Sequence, residues 1–182
     1  MAIFYTIGHS NRPIAAFVSL LRQAAVELVA DVRTIPKSRH NPQFWADALA
    51  QSLREAGICY KHMPVLGGLR GSRKGAAPSP NGFWDNRSFR AYADYAATPQ
   101  FKQGLEELRA LGRAHVCAIM CAEALWWRCH RRIITDYLLA EGETVIHIMG
   151  EGHLEPARMT EAAVIGAGGV IAYPAAQGEL LP

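Results

Sequence analysis

A run of apolar residues long enough to cross a membrane is missing from this 182-residue chain; no segment approaches the roughly 18 residues that a spanning helix needs. The amino end carries no charged leader followed by an apolar signal run, because Met1-Ala-Ile-Phe-Tyr reads at once as a strand. Both absences point to a cytoplasmic protein with no membrane partner. Cysteine is sparse. Its four positions (Cys59, Cys117, Cys121 and Cys129) fall inside predicted regular elements rather than small stapled loops, so reduced thiols are expected in place of a disulfide framework. Close Cys-x2-Cys pairs on turns, the usual mark of structural zinc, are absent, and Cys117 sits mid-strand; no metal and no other cofactor is expected. Gly8-His9-Ser10 is no Gly-x-Ser-x-Gly elbow and has no carboxylate nearby in sequence, which removes a serine hydrolase. There is no internal repeat and no low-complexity segment.

Lysine is scarce too. Four lysines stand against fifteen arginines, for a net charge of only +3. Arginine presents a planar fork of donors suited to phosphate or carboxylate, whereas a surface that is merely soluble is usually lysine-rich. A coding bias toward Arg and Ala gives the same ratio without any function. The small net charge makes nucleic-acid binding the lesser reading.

What is present is an alternation of strands and helices. Half of the residues are hydrophobic, enough for a sizeable core, and the length fits a single domain, 1–182. Ile3 to Gly8 reads as a strand, and Pro13 opens a helix whose apolar stripe is Phe17, Leu20 and Leu21. Leu28 to Val32 is a second strand, Asn41-Pro42 opens a helix that stops at Gly57, and Ile58 to Met63 is a third strand. Residues 64–87 form a long loop rich in Gly, Pro and Arg, expected to be mobile, as long loops without structure of their own usually are. Helices follow at Ser88 to Ala97 and Thr98 to Leu111, the second capped by Thr98 and stopped by Gly112. Val116 to Cys121 is a continuous apolar run, as expected of a central parallel strand covered on both faces. A helix from Trp126 to Ala140, a strand from Val145 to Met149, a helix from Met159 to Ala167 and a short strand at Val170 to Tyr173 complete the chain. This pattern predicts an α/β fold: three α/β/α layers, Rossmann-like, with a mainly parallel sheet of about five strands.

The polar clusters His9-Ser10-Asn11-Arg12, Asp31-Val32-Arg33 and Met120-Cys121-Ala122-Glu123 all fall at carboxyl ends of predicted strands, where an open α/β sheet presents its ligands. Cys121 leaves its strand toward a following helix whose free N–H groups and positive end would lower a thiol pKa; the plainer alternative is a small apolar strand residue. Cys121 to Arg128 is one residue longer than the phosphate-cradling cysteine loop of tyrosine phosphatases and rhodaneses, and bulky Leu125, Trp126 and Trp127 with anionic Glu123 fit such a cradle poorly. On a helix, Cys129 and His130 face the sheet but diverge by about 100°, which makes a thiol–imidazole contact poor. His130 then bonds to Glu123, Asp31 or a backbone carbonyl. Glu123, just past an apolar strand and beside two indoles, suits an acid or base, or a buried pair with Arg33, Arg128 or Arg131. Trp126 and Trp127 suit stacking on a base or sugar, or core packing. His9 is a ligand contact or a helix-start residue, and Arg132 with Asp136 reads as an exposed i,i+4 pair.

At these residues the chain resembles a bacterial and archaeal family known only as a domain of unknown function, marked by Ile7-Gly-His-Ser-Asn11, Asp31-Val-Arg33, Tyr60 to Gly68 with its Leu66-Gly67-Gly68, Met120-Cys-Ala-Glu123 and Cys129-His-Arg131. The resemblance runs over nearly the whole chain. It implies a compact α/β domain with one shared pocket and brings no reaction with it.

Together these readings predict an enzyme, a hydrolase or transferase, that binds an anionic small molecule or nucleic-acid component. Cys121, Glu123, Cys129, His130 and Asp31 are the catalytic candidates. His9, Ser10, Asn11, Arg33, Arg128, Arg131 and Trp127 are the candidate substrate contacts. Two alternatives stand beside this: a nucleic-acid-binding module acting through the basic loop 67–84, with Arg70, Arg73 and Lys74, and a non-catalytic small-ligand sensor.

Overall fold

The computed structural model describes residues 1–71 and 78–176. In chain order the elements are β1 (Ile3–Gly8), α1 (Ile14–Gln23), β2 (Leu28–Asp31), α2 (Ala46–Glu55), β3 (Cys59–His62), α3 (Arg87–Ala96), α4 (Pro99–Ala114), β4 (Cys117–Cys121), α5 (Arg131–Ala140), β5 (Thr144–Gly150), β6 (His153–Pro156), β7 (Val164–Ile165) and β8 (Ile171–Ala172). β1 to β6 form one sheet in the order β3-β2-β4-β1-β5-β6, parallel except for the antiparallel edge strand β6. Every residue of β2 and β4 is buried, because helices cover both faces. Phe17, Leu20 and Leu21 of α1 and Leu49 and Leu53 of α2 pack on Ile7, Val29, Ala118 and Met120. On the opposite face α3, α4 and α5 bring Tyr92, Phe101, Leu105, Ile133 and Leu138 against Phe4, Ala30, Val32, Ile119 and Cys121. The result is a three-layer, Rossmann-like α/β sheet.

Chain order turns this sheet into a site. From β1 the chain leaves through the α1 layer toward β2; from β4 it leaves through the α5 layer toward β5. β1 and β4 are neighbours, so their departures to opposite faces make a topological switch point between Gly8 and Cys121.

Several expected boundaries shift, each for a local reason. Gly112 does not stop α4: it lies against the Phe4 ring, which leaves no room for a Cβ, and the helix runs on to Ala114. Thr98 does cap α4, its hydroxyl accepting from Phe101 N at 3.4 Å. Asn41-Pro42 opens only a 3-10 turn, which extended Trp45 ends before α2 begins. The tail has no helix at Met159 to Ala167. Gly168 and Gly169 adopt positive φ, and Val164–Ile165 pairs instead with Ile171–Ala172 as a two-stranded hairpin. Asp136 and Arg132 are no exposed pair. Asp136 is fully buried and accepts from Thr160 N (2.8 Å) and Tyr173 Oη (2.9 Å), tying the tail to α5, while Arg132 donates to Thr160 Oγ1.

The described parts of loop 64–87 are packed in. Residues 64–66 form a 3-10 turn, Trp84 is 6 % exposed, and Asn81 donates to Asp94 while its side-chain Oδ1 accepts from Tyr173 N. Arg70 turns inward, donating to the Gly67, Pro64 and Val65 carbonyls over the Tyr95 ring; Arg73 and Lys74 lie outside the described residues.

Candidate active site

The helix after β4 starts five residues later than its apolar period suggests. Trp126–Arg128 is a single 3-10 turn, Cys129 is extended (φ −124°, ψ 146°), and only from His130 does the backbone turn helical. The positive end of α5 therefore lies at Cys129 and His130 rather than at Cys121. This break also cancels the angular divergence expected of adjacent helical residues. Cys129 and His130 swing into one cluster with Cys121, which ends β4 on the same face of the sheet. His130 Nδ1 lies 3.7 Å from Cys129 Sγ and 3.9 Å from Cys121 Sγ, and all three atoms lie within 4.8 Å of one another.

The His130 tautomer follows from its other nitrogen. Nε2 lies 3.0 Å from the Val32 carbonyl, which only accepts, so Nε2 carries a hydrogen and Nδ1 is the nitrogen turned to the two sulfurs. Tyr92 packs edge-on against the imidazole, and Gly68 passes over it so closely that a Cβ there would stand 2.5 Å from Nδ1. A glycine is needed at this crossing because any side chain would displace the ring.

Arg131, only 1 % exposed, explains the electrostatics. Its guanidinium donates to Cys129 Sγ (3.3 Å), Thr6 Oγ1 (3.4 Å) and the Glu123 carbonyl (2.5 Å), and among the described residues no carboxylate pairs with it. A buried charge left uncompensated is costly. Burial opposes charge on Cys129, but the Cys121 S–H donor, Arg131 and His130 overcome it and hold Cys129 well below the usual thiol range. Cys121 moves the other way, pushed up by its bond to Cys129 and by burial. Of the two thiols Cys129, beside Arg131, is the more acidic. Cys117 takes no part: burial in mid-strand raises its thiol to about 12.

On the α1 face of the same edge sits a second polar group. Asp31, fully buried, accepts from Arg33 N, Nε and NH2 (3.1, 2.8 and 2.5 Å) and from Tyr60 Oη (2.8 Å). Arg33 also donates to the Phe44 carbonyl at 2.9 Å. His9 stacks on Phe44; its Nδ1 donates to the Ser10 carbonyl (2.7 Å) and its Nε2 accepts from Arg33 NH1 (3.2 Å). Burial, together with Arg33 and Arg131, lowers His9 to about 4, so it is neutral at pH 7. Ser10 stands at φ 50°, a left-handed turn that carries the β1 loop across the β4 loop, where His9 N and Ser10 N donate to the Cys121 and Ala122 carbonyls at 2.9 Å each. Asn11 follows, exposed.

The structure thus gathers Cys121, Cys129, His130 and Arg131 on one face and His9, Asp31 and Arg33 on the other, joined along one edge. Glu123, Trp127 and Arg128 stay exposed at the rim; Glu123 reaches Arg131 through its backbone carbonyl, not its carboxylate. Two participants, Thr6 and His147, carried no recognisable motif. Thr6 and His147 are register partners in β1 and β5 and bond through Thr6 Oγ1 and His147 Nδ1 at 2.7 Å, and Trp126 stacks on His147 at 4.4 Å. The usable signal was two polar interruptions inside otherwise apolar strands.

A switch-point edge flanked by a dithiol–imidazole cluster and two buried arginines defines the class: a three-layer α/β protein with a chemically equipped carboxyl edge. The chain belongs to the family described as domain of unknown function DUF488, which matches residues 13–138. That span takes in Asp31, Arg33, Gly68, Cys121, Glu123 and the Cys129-His130-Arg131 run, and it leaves Ile7 to Asn11 outside. No curated protein and no solved structure matches the chain.

Proposed function

We propose that this chain is a cytoplasmic enzyme, a hydrolase or transferase, that takes an anionic substrate at the carboxyl edge between β1 and β4 and acts on it through the Cys121–Cys129–His130 cluster. One observation carries the reading: donors from two separate segments, Cys121 and the Cys129-His130 pair, meet within 4.8 Å beside Arg131, a buried cation with no carboxylate partner among the described residues. Free thiols at all four cysteines accord with a reducing compartment. Buried Arg131, which has no carboxylate partner among the described residues, biases the edge toward anions. At the rim, Arg128 offers an exposed guanidinium for phosphate, Trp127 an exposed ring for a base or sugar, and Ser10 and Asn11 polar groups beside them. Asp31 is saturated by four donors and serves to hold Arg33, so Glu123, the exposed carboxylate, is the group placed to carry protons.

The substrate class is a nucleotide, a nucleic-acid component or another phosphorylated metabolite. A panel of nucleoside mono- and diphosphates, sugar phosphates and short oligonucleotides, screened by thermal shift and then by turnover, tests it. The expected result is a rise in Tm for at least one phosphorylated class, weakened by salt and by Arg128→Ala, with turnover that Cys129→Ala abolishes. A Tm indifferent to every member at low salt, with no turnover, overturns the reading; binding without turnover marks a sensor instead. Long oligonucleotides binding far better than mononucleotides would favour the 67–84 loop, from which Arg70 is already withdrawn into internal bonds.

A further inference from the structure

We propose that Cys121, Cys129 and His130 are ligands of a single zinc-type cation, leaving its fourth coordination position open. Tetrahedral zinc with sulfur at about 2.3 Å and nitrogen at about 2.0–2.1 Å requires S···N separations of about 3.6 Å and an S···S separation of about 3.8 Å. The observed S···N separations are 3.7 and 3.9 Å, with the sulfurs inside the same 4.8 Å limit. Only sub-ångström shifts would seat the ion.

Spacing in the sequence argues against such a site, and the fold removes the objection. Seven residues separate the two cysteines, and the third ligand adjoins the second. Extended Cys129 followed by helical His130 lets adjacent side chains reach one point.

The surroundings match what ligands need. A coordinating imidazole characteristically donates its other N–H to a carbonyl or carboxylate, which fixes the ring and its tautomer. His130 does so to the Val32 carbonyl. The Arg131 Nε–H on Cys129 Sγ is the matching outer-shell bond on sulfur. Among the described residues no other His, Cys, Asp or Glu joins the cluster, so three protein ligands leave one place for solvent or substrate, the arrangement of catalytic rather than structural zinc.

Binding balances as follows. Two sulfur–zinc bonds and one nitrogen–zinc bond form, any hydrogen on the two sulfurs or on Nδ1 leaves to solvent, and no electron is transferred. Two thiolates then neutralise the divalent ion and leave the charge of Arg131 without a counter-ion. The fourth ligand is accordingly an anion: hydroxide, or an oxygen of a bound phosphate. That last step rests on the anionic-substrate reading; the metal site does not.

The test uses the full chain, stripped by chelator under reducing conditions and titrated with Co2+. The expected result is one equivalent bound, a near-ultraviolet thiolate-to-cobalt charge-transfer band with the visible bands of tetrahedral cobalt, proton release on loading the metal-free protein, and displacement of the cobalt by Zn2+. Cys121→Ser and Cys129→Ser should each weaken cobalt binding by more than the roughly 10–100-fold that loss of an outer-shell partner costs, and Cys59→Ser should leave it unchanged. X-ray absorption of the zinc-loaded wild type supplies a readout that needs no variant, with two sulfurs and one imidazole nitrogen expected. Absence of the charge-transfer band in folded wild type, its persistence in the Cys121/Cys129 double variant, or a zinc shell without sulfur overturns the site. Metal binding with no response to any phosphorylated compound keeps the site and removes the substrate reading; the reverse pattern separates them the other way.

Discussion

At the scale of residues, the cluster depends on a few groups whose removal has unequal consequences. Asp31→Asn leaves Arg33 buried beside a neutral amide, and breaking a buried ion pair in this one-sided way costs about 3–5 kcal/mol. Urea denaturation should show the midpoint falling with little change in slope; a loss under about 1 kcal/mol would mean that Arg33 finds other partners. Gly68→Ala drives a methyl into the His130 ring, which Val32 and Tyr92 hold from other sides, and overpacking of this kind costs about 1–3 kcal/mol. The same change should also weaken cobalt binding, since the displaced ring is the one proposed to ligate. Unaltered stability and binding in this variant would show that the loop over His130 yields freely.

At the scale of elements, the tail and α5 behave as one unit. Tyr173→Phe removes the hydroxyl that donates to buried Asp136, and a hydrogen bond to such a group is worth about 1–3 kcal/mol. Hydrogen exchange should quicken in residues 160–173 more than in β2 or β4; uniform quickening would contradict a local tie. Much of this level was legible in the chain. The continuous apolar runs of β2 and β4 and the stripe Phe17, Leu20, Leu21 declare themselves by period alone, and so did the rule that polar clusters gather at strand carboxyl ends. The face that each cluster takes was not legible, because it depends on pairing register: Asp31 and His9 fall on the α1 side and Cys121 on the α5 side. Nor was the start of α5, since Trp126, Cys129 and Ile133 keep a helical period across a segment that the structure folds as a 3-10 turn broken by extended Cys129. Thr6 and His147 gain meaning only as register partners.

At the scale of the whole molecule, two neutral buried imidazoles make stability depend on pH. Burial, with Arg131 adding to it, lowers His147 to about 4, and His9 is likewise held at about 4, both from 6.5. Below pH 6.5 the unfolded chain takes up protons that the folded one refuses. This contribution is therefore complete above pH 6.5 and is lost as pH falls toward 4, by up to about 3 kcal/mol for each residue. Denaturation at pH 7.5, 5.5 and 4.5 should show that decline, and His147→Gln should flatten part of it; constant stability across the range would contradict the buried neutral state. The central claim is that His130, its Nε2–H held by Val32, aims Nδ1 at two sulfurs that the fold has brought beside it. Long-range proton–nitrogen correlation of the imidazole rings in the metal-free, reduced protein measures this directly. His130 should carry a hydrogen on Nε2, with His9 in the opposite tautomer. A His130 whose Nε2 is bare and whose hydrogen sits on Nδ1 alone would contradict the account.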